Sequence, residues 1–559
     1  MTEKSTEKQY EVPEREIARK RRRRRWVAIF AVVALLVGGG VWYLVQRTGY
    51  CDGVEGTTGQ GFGLHRDEDD PEGQCLGWTV DRAHAFGTTD PRVQAVVDAI
   101  VKENQAVAAS SGASGYVRVA VMMPMVSRQG SKLDANSILH ALQGARTALE
   151  VVNSDPQYGD VRLKVQLVLA NIGWDQKSWR GVVEQLGGLT GGDHPLVAVT
   201  GLGVSVPETR EAAAALNARW GLPSIGAVLT ADDMTTRGTE SADALPSLFK
   251  VSPSNHDYAL ALKAVLDRDY PAATSGFLVA DRNNDNYVES LGKAFVHVFG
   301  DFHLDEHRAS FTGSTTDIKQ ASNLFQPVIG AINAFTEANA GKPAVVLYAG
   351  RDADLPSFVR SLGTRVRKDG DLVLATGMTG LTVTTSEATG TVDQLLTTAD
   401  LADAKVRIVA AASTDVVGWK GGGDGVPKRF DKFLTTFTKD LGYAESDLDD
   451  GYAVMHHDAV AAAVKAARSI YSNSDGARLP TPLDVRNGLY SLKNDQVEGA
   501  SGSFSWEEAT TSYNDLWPVG KPVPIITFPR TAQPSAPYTT ACRVLVDSTS
   551  LKDYDVVDC

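Results

Sequence analysis

The sequence predicts an α/β protein of two lobes, each built on a mainly parallel sheet, standing beyond a single transmembrane helix. Three observations predict it. Short apolar runs alternate with helical stretches of roughly 10 to 15 residues, a chain of 559 residues is too long for one hydrophobic core, and an uncharged apolar segment lies near its start. Hydrophobic residues make up 43% and charged residues 22%, ordinary values for a folded chain.

Residues 1–25 form a basic head. They carry ten Lys or Arg (Lys4, Lys8, Arg15, Arg19, Lys20 and Arg21 to Arg25) against five Glu, a net of +5. The whole chain is at -13, so the remainder carries -18. An acidic body repels a phosphate backbone, which excludes a nucleic-acid partner.

Residues 26–45, WVAIFAVVALLVGGGVWYLV, follow directly on RKRRRRR and are long enough to span a bilayer core. Trp26, Trp42 and Tyr43 lie near the ends, where amphipathic rings favour the interface. The arginines keep the N-terminus in the cytoplasm and place the main domain outside, in the cell membrane as a single-pass protein. A cleaved signal peptide fits less well: the apolar stretch is long and no A-x-A site follows it. Cys51 is preceded by Tyr50 and lacks a Leu three residues before it, which argues against lipidation.

Residues 46–115 read as a juxtamembrane segment ending in a helix. The four cysteines, Cys51, Cys75, Cys542 and Cys559, flank the outer part. An even number in an exported chain implies disulfides, and all three pairings stay open. No C-x-x-C spacing or adjacent His gives them a metal or catalytic role. GQGFG, with no strand before it and no helix after, is not a nucleotide-binding fingerprint.

From Tyr116 the alternation begins: VRVAVMMPM as strand, SILHALQGARTALEVVN as helix, VRLKVQLVLA as strand, WRGVVEQLGGL as helix, LVAVTG as strand, and so on through AVVLYAG and LPSFVRSLG. This is the βαβ pattern of parallel sheets, whose ligands sit at the C-terminal ends of the strands.

Four segments carry a resemblance over 116–528. VTGLGVSVPETREAAAALNARWGLPSIGAVLTADDMT, PSLFKVSPSNHDYALALKAVL, LVADRNNDNYVESLGKAF and EGASGSFSWEEA resemble, in this order, segments of the type I periplasmic binding proteins of the branched-chain amino acid transporter family. The resemblance implies two lobes joined by a three-strand hinge. Lobe I is expected at 116–250 plus 411–480, lobe II at 251–410 plus 481–528, and a Cys-containing tail at 529–559. The expected crossings lie near Phe249–Ser254, Val409–Ser413 and Pro480–Asp484.

The same resemblance implies the ligand contacts. Ser205, Val228 and Thr230 match first-lobe positions that meet a ligand carboxylate, and Ser205 also suits an N-cap. Tyr287 matches an aromatic lid. Asn255 or Asp257, and Thr379, stand at positions that hold the α-amino group, where the family has carboxylates; losing one of these removes a buried counter-ion for an ammonium. Arg351 replaces an aromatic residue, with a rim pairing to Asp352 or Asp354 as the alternative, and Arg128 lies at a second lid position. Two arginines favour a small polar or anionic ligand, amino-acid-like, over a plain branched-chain amino acid.

Other constellations are weaker. His303 to His307 spell H-x-x-E-H but lead into an extended stretch, not a helix. Asp281, Asn283 and Asp285 have EF-hand spacing without its Gly or its final Glu. In GYAVMHHDAVAAAVKAA, Asp458 reads as a capping or packing residue. No nucleophile, base and oxyanion donor assemble, so no catalytic residue, metal or cofactor is expected. The expected role is a tethered solute-binding protein that closes its lobes in ABC-type uptake or sensing, with a transporter permease or other membrane protein as partner. The alternative is a ligand-free protein-interaction module on the same fold, as in activators of cell-wall synthases.

Overall fold

The computed structural model describes residues 61–530, except 235–244, 314–323, 385–395, 507–516 and several stretches of one to four residues, together with the backbone of 540–545 and 554–558. The basic head, the apolar stretch at 26–45, Cys51, Cys559 and the side chain of Cys542 lie outside the described residues. Among those described, no helix is long and apolar enough to cross a membrane.

Two sheets organise the chain. The first has the order β1-β2-β4-β3-β5-β6-β7, from β1 (Phe62–Arg66), β2 (Cys75–Thr79), β3 (Tyr116–Met123), β4 (Lys164–Asn171), β5 (Leu196–Leu202), β6 (Ser224–Gly226) and β7 (Leu248–Lys250). Strands β3 to β7 run parallel. In β3 the period of two is plain: Val117, Val119 and Val121 enter one core while Ala120 and Met122 enter the other. Helices cover both faces. That is why these strands read as unbroken apolar runs, each buried Val or Leu contributing roughly 1.5–3 kcal/mol.

One face of this sheet carries α1 (Pro91–Ser110), α2 (Ala135–Ser154) and later helices, and the other carries α3 (Trp179–Gly187) and α4 (Pro207–Trp220). Residues 61–110 belong to this lobe. Its hairpin β1–β2 extends the sheet, with Gly77 to Thr79 antiparallel to Asn171 to Leu169. Asn104 of α1 ties the helix down, taking the Leu167 amide (2.9 Å) and donating to Leu167 O and Val80 O (2.8 Å each). Cys75 is buried in β2 and disulfide-bonded.

The second sheet has the order β19-β18-β17-β14-β11-β10-β8-β9. Its parallel strands are β8 (Gly276–Asp281), β9 (Arg308–Phe311), β10 (Ala344–Ala349), β11 (Leu372–Met378) and β14 (Val406–Ala412); a short pair, β12 (Val383–Thr384) and β13 (Leu396–Thr397), lies apart. Helices α5 (Asn255–Asp269) and α6 (Asn286–Val298) cover one face, and α7 (Gln326–Ala338), α8 (Leu355–Leu362) and α9 (Thr398–Ala404) the other.

After β14 the chain returns to the first lobe through α10 (Val416–Lys420), α11 (Phe430–Thr435) and the long α12 (Tyr452–Asn473). The first two crossings fall where expected, after β7 and after β14. The third does not. Thr481 and Asp484 form a capping box that starts α13 (Pro482–Ser491), and Val485 and Leu489 of this helix enter the first lobe's core. Val497, Phe504 and Trp506, from β15 (Val497–Gly499), β16 (Gly502–Phe504) and the residues beyond, enter it too. Residues 481–506 are therefore part of lobe I, and the chain crosses only after Trp506 to reach β17 (Pro522–Phe528). The tail adds β18 (Thr540–Leu545), antiparallel to β17, and β19 (Tyr554–Asp558), antiparallel to β18.

Candidate ligand-binding cleft

Between the lobes lies a cleft of about 40 Å³, lined by Gly203, Ser205, Val228, Thr230, Asp450 and Tyr452 from the first lobe and by Tyr287, Arg351, Asp352, Met378, Thr379 and Gly380 from the second. Each residue arrives at the C-terminal end of a strand or at a helix N-terminus. Ser205 and Thr230 follow β5 and β6. The Ser205 hydroxyl accepts from the Thr230 (3.2 Å) and Ala231 (3.3 Å) amides, so it braces the first-lobe wall as well as facing the cleft. It does not cap α4, whose N-cap is Val206.

On the second lobe, Asp285 caps α6 by accepting from the Tyr287 amide (3.0 Å). That turn projects Tyr287 into the cleft, where its hydroxyl donates to Gly377 O. Arg351, after β10, binds Asp285 in two parallel bonds of 2.8 and 2.9 Å and lies 5.2 Å from the Tyr287 ring centroid. Burial opposes the charges on both partners. Their attraction wins, holding the Asp285 carboxyl below the ordinary range and Arg351 above its own. Burial also pushes the Tyr287 and Tyr452 phenols up, so both stay neutral donors.

The 447–450 turn carries Asp450 to the cleft and is fixed to α2. His140 Nδ1 meets Asp450 at 2.6 Å, Gln143 donates to Asp447 (2.9 Å), and the other Asp450 oxygen accepts from the Tyr452 amide (3.0 Å). Burial alone would lower the His140 pKa, but the charge of Asp450 and its hydrogen bond raise it above the usual value. A raised folded pKa stabilises fully below the unfolded value and is lost as pH rises through the folded one. The wild-type thermal midpoint should therefore fall more than that of His140→Gln between about pH 6 and about pH 8.5; parallel curves would contradict this.

Polar groups also meet across the seam. The Asp232 amide donates to Ser290 Oγ and that hydroxyl returns a bond to the Asp232 carboxylate, both at 2.8 Å. Asn286 donates to Asp233 at 2.9 Å. On the opposite side, a Cβ at Gly380 would stand 2.8 Å from the Asp449 and Asp450 backbone, so only glycine lets the second lobe approach so closely there.

Of the residues expected to bind a ligand, Ser205, Val228, Thr230, Tyr287, Arg351 and Thr379 come together. Asn255, Asp257 and Arg128 do not line the cleft. Asn255 donates to Tyr287 O (3.0 Å), Asp257 completes the capping box of α5 with Ser254, and Arg128 pairs with Asp70 at 3.4 Å. The partner of Arg351 is Asp285, not the rim carboxylates Asp352 or Asp354. In the sequence only EF-hand spacing marks Asp285, and no motif marks Asp450 or Tyr452 as cleft residues. His303 has a left-handed backbone in a turn, so the H-x-x-E-H residues share no helix face. Among the described residues no group of three or more His, Cys, Asp or Glu is disposed to hold a metal.

Two lobes, three crossings and a cleft at the strand ends define the type I periplasmic-binding-protein fold. Solved structures of that fold align along most of their length. One is an ABC transporter substrate-binding protein from Desulfitobacterium hafniense in complex with Leu, 16% identical with a TM-score of 0.50, covering 73% of this chain and 96% of that one. Another is a solute binding protein of an ABC transporter from R. palustris in complex with 4-hydroxybenzoate, 12% identical with a TM-score of 0.50, covering 75% and 94%. No protein-family model matches the sequence, and no curated protein does.

Proposed function

We propose that the chain is a membrane-tethered, extracytoplasmic solute-binding protein that captures a small polar ligand between its lobes and performs no chemistry on it. The observation that carries this is the cleft, where hydroxyl and backbone groups at Ser205 and Thr230 face an aromatic and cationic wall at Tyr287 and Arg351. A volume of about 40 Å³ holds only a few waters. An amino acid or a benzoate, the ligands named for the two structural relatives, enters only as the lobes part, and closure then reports occupancy.

The ligand is assigned here as polar rather than anionic, because Asp285 and Asp70 already meet the two arginines that suggested an anion. The anchor at 26–45 keeps the captor beside its partner, a transporter permease for uptake or another membrane protein for sensing. Disulfides fit the same oxidising side of the membrane.

One observation favours the other reading, a ligand-free interaction module: both arginines expected to meet a ligand are already paired, Arg351 with Asp285 and Arg128 with Asp70. Calorimetry against amino acids, small peptides, aromatic acids and polyols separates the two. Solute capture predicts saturable binding that Tyr287→Ala weakens by at least about tenfold, since a stacked aromatic lid contributes about 1.5 kcal/mol or more. Equal affinity in wild type and variant contradicts it.

A further inference from the structure

The ion pair at Asp285 reaches beyond its own lobe. Asp285 is 1% exposed and already doubly bonded to Arg351, yet a third charged group approaches it: Lys132 Nζ of the first lobe lies 3.4 Å from Oδ2. The described residues around Lys132 are braced within the first lobe. The Ser127 hydroxyl donates to Leu133 O (3.0 Å), the Arg128 amide donates to Ser131 Oγ (2.8 Å), Leu133 is buried in that lobe's core, and Asp134 caps α2.

Among the described residues, the contacts that Asp232 makes across the seam sit beside a crossing. The Asn255 amide donates to Thr230 O (2.7 Å) and the His256 amide to Asp232 (3.3 Å), so Asp232 and its neighbours move little when a hinge there opens. Lys132 has no such tether. Rotation of the lobes carries it away from Asp285 while Arg351, on the same lobe as Asp285, stays bound.

We propose that Lys132 is an electrostatic latch: it engages the Asp285–Arg351 pair only when the lobes are together, so the chain biases its own cleft toward closure before any solute arrives. The latch regulates the cleft assigned above, but it does not require that cleft to accept a solute. A ligand binding to the open form must work against this bias, and one binding to the closed form gains from it.

Hydrogen–deuterium exchange of the full chain, without added solute, tests the proposal. A partly exposed pair biases closure by about fivefold. Lys132→Met keeps the aliphatic stem and loses the charge. It should speed exchange in 126–134 and 286–292 by about that factor while leaving β3 and β10 unchanged. Raising salt from about 0.1 M to about 1 M should do the same to wild type and add nothing in the variant, and Lys132→Arg should restore protection. Unchanged exchange in Lys132→Met overturns the latch. Acceleration reaching β3 and β10 overturns it too, since that is loss of fold rather than opening. A negative solute screen beside a positive exchange result sinks solute capture alone; the reverse sinks the latch alone.

Discussion

Replacing Asp458 with alanine is expected to destabilise the chain by about 3–5 kcal/mol and to lower the thermal midpoint by roughly 10 °C. The carboxylate is fully buried on α12 and accepts from the Ala500 amide (2.7 Å), the Ser501 amide (3.0 Å), the Ser501 hydroxyl and His457 Nδ1 (2.9 Å), with the Lys521 ammonium at 3.6 Å. Burial pushes its pKa up, but the bond from His457 and the charge of Lys521 outweigh that and hold it below the ordinary range. Without it, two amides lose their acceptor and a buried ammonium loses its counter-charge.

Burial draws the Lys521 pKa down to about 8 despite Asp458. The unfolded chain then binds that proton more tightly than the folded one, so this group's contribution to stability rises with pH between about 8 and about 10.4. Asp458→Asn, which keeps an acceptor but removes the charge, should fall between wild type and alanine. An alanine variant within about 1 kcal/mol of wild type in chemical denaturation would show that the pair holds nothing together.

Gly144→Ala should be nearly as costly, about 3 kcal/mol or more. Helices α2 and α12 cross at this point, and an added Cβ would fall against Ala453 O and within 2.6–2.7 Å of the same residue's carbonyl carbon and Cα. Those are backbone atoms of a buried helix, which no side-chain rotation can clear. The helices must separate, and with them the turn that carries Asp450 and Tyr452 to the cleft. Gly181→Ala is the control: it sits in α3 with nothing within 4 Å of the added carbon and should stabilise slightly, by about 0.5–1 kcal/mol. Equal effects at the two positions would contradict the close crossing.

Much of this architecture is legible in the chain itself. Strands such as β3 and β5 are buried on both faces and announce themselves as continuous apolar runs, and the loops after β5, β6, β8 and β10 hold most of the cleft residues that the resemblance implied. What escaped reading was long-range pairing. Nothing local to DRNNDNY tells that Asp285 will meet Arg351, 66 residues on, or that His140 will fix Asp450 across 310 residues. The third crossing was misplaced for a related reason. T-P-L-D marks a helix start unambiguously, but an amphipathic helix looks the same whichever lobe receives its apolar face. The β1–β2 hairpin hid in a Gly- and Asp-rich stretch, because an edge pair needs few apolar residues.

Whether the interlobe cleft is a place where solutes are taken up is decided most directly by native mass spectrometry of the full chain, purified gently and without added solute. The account predicts a single small molecule released at one copy per chain, and none from Tyr287→Ala. A wild-type chain that is folded, carries no adduct and gains none from any solute offered would contradict it.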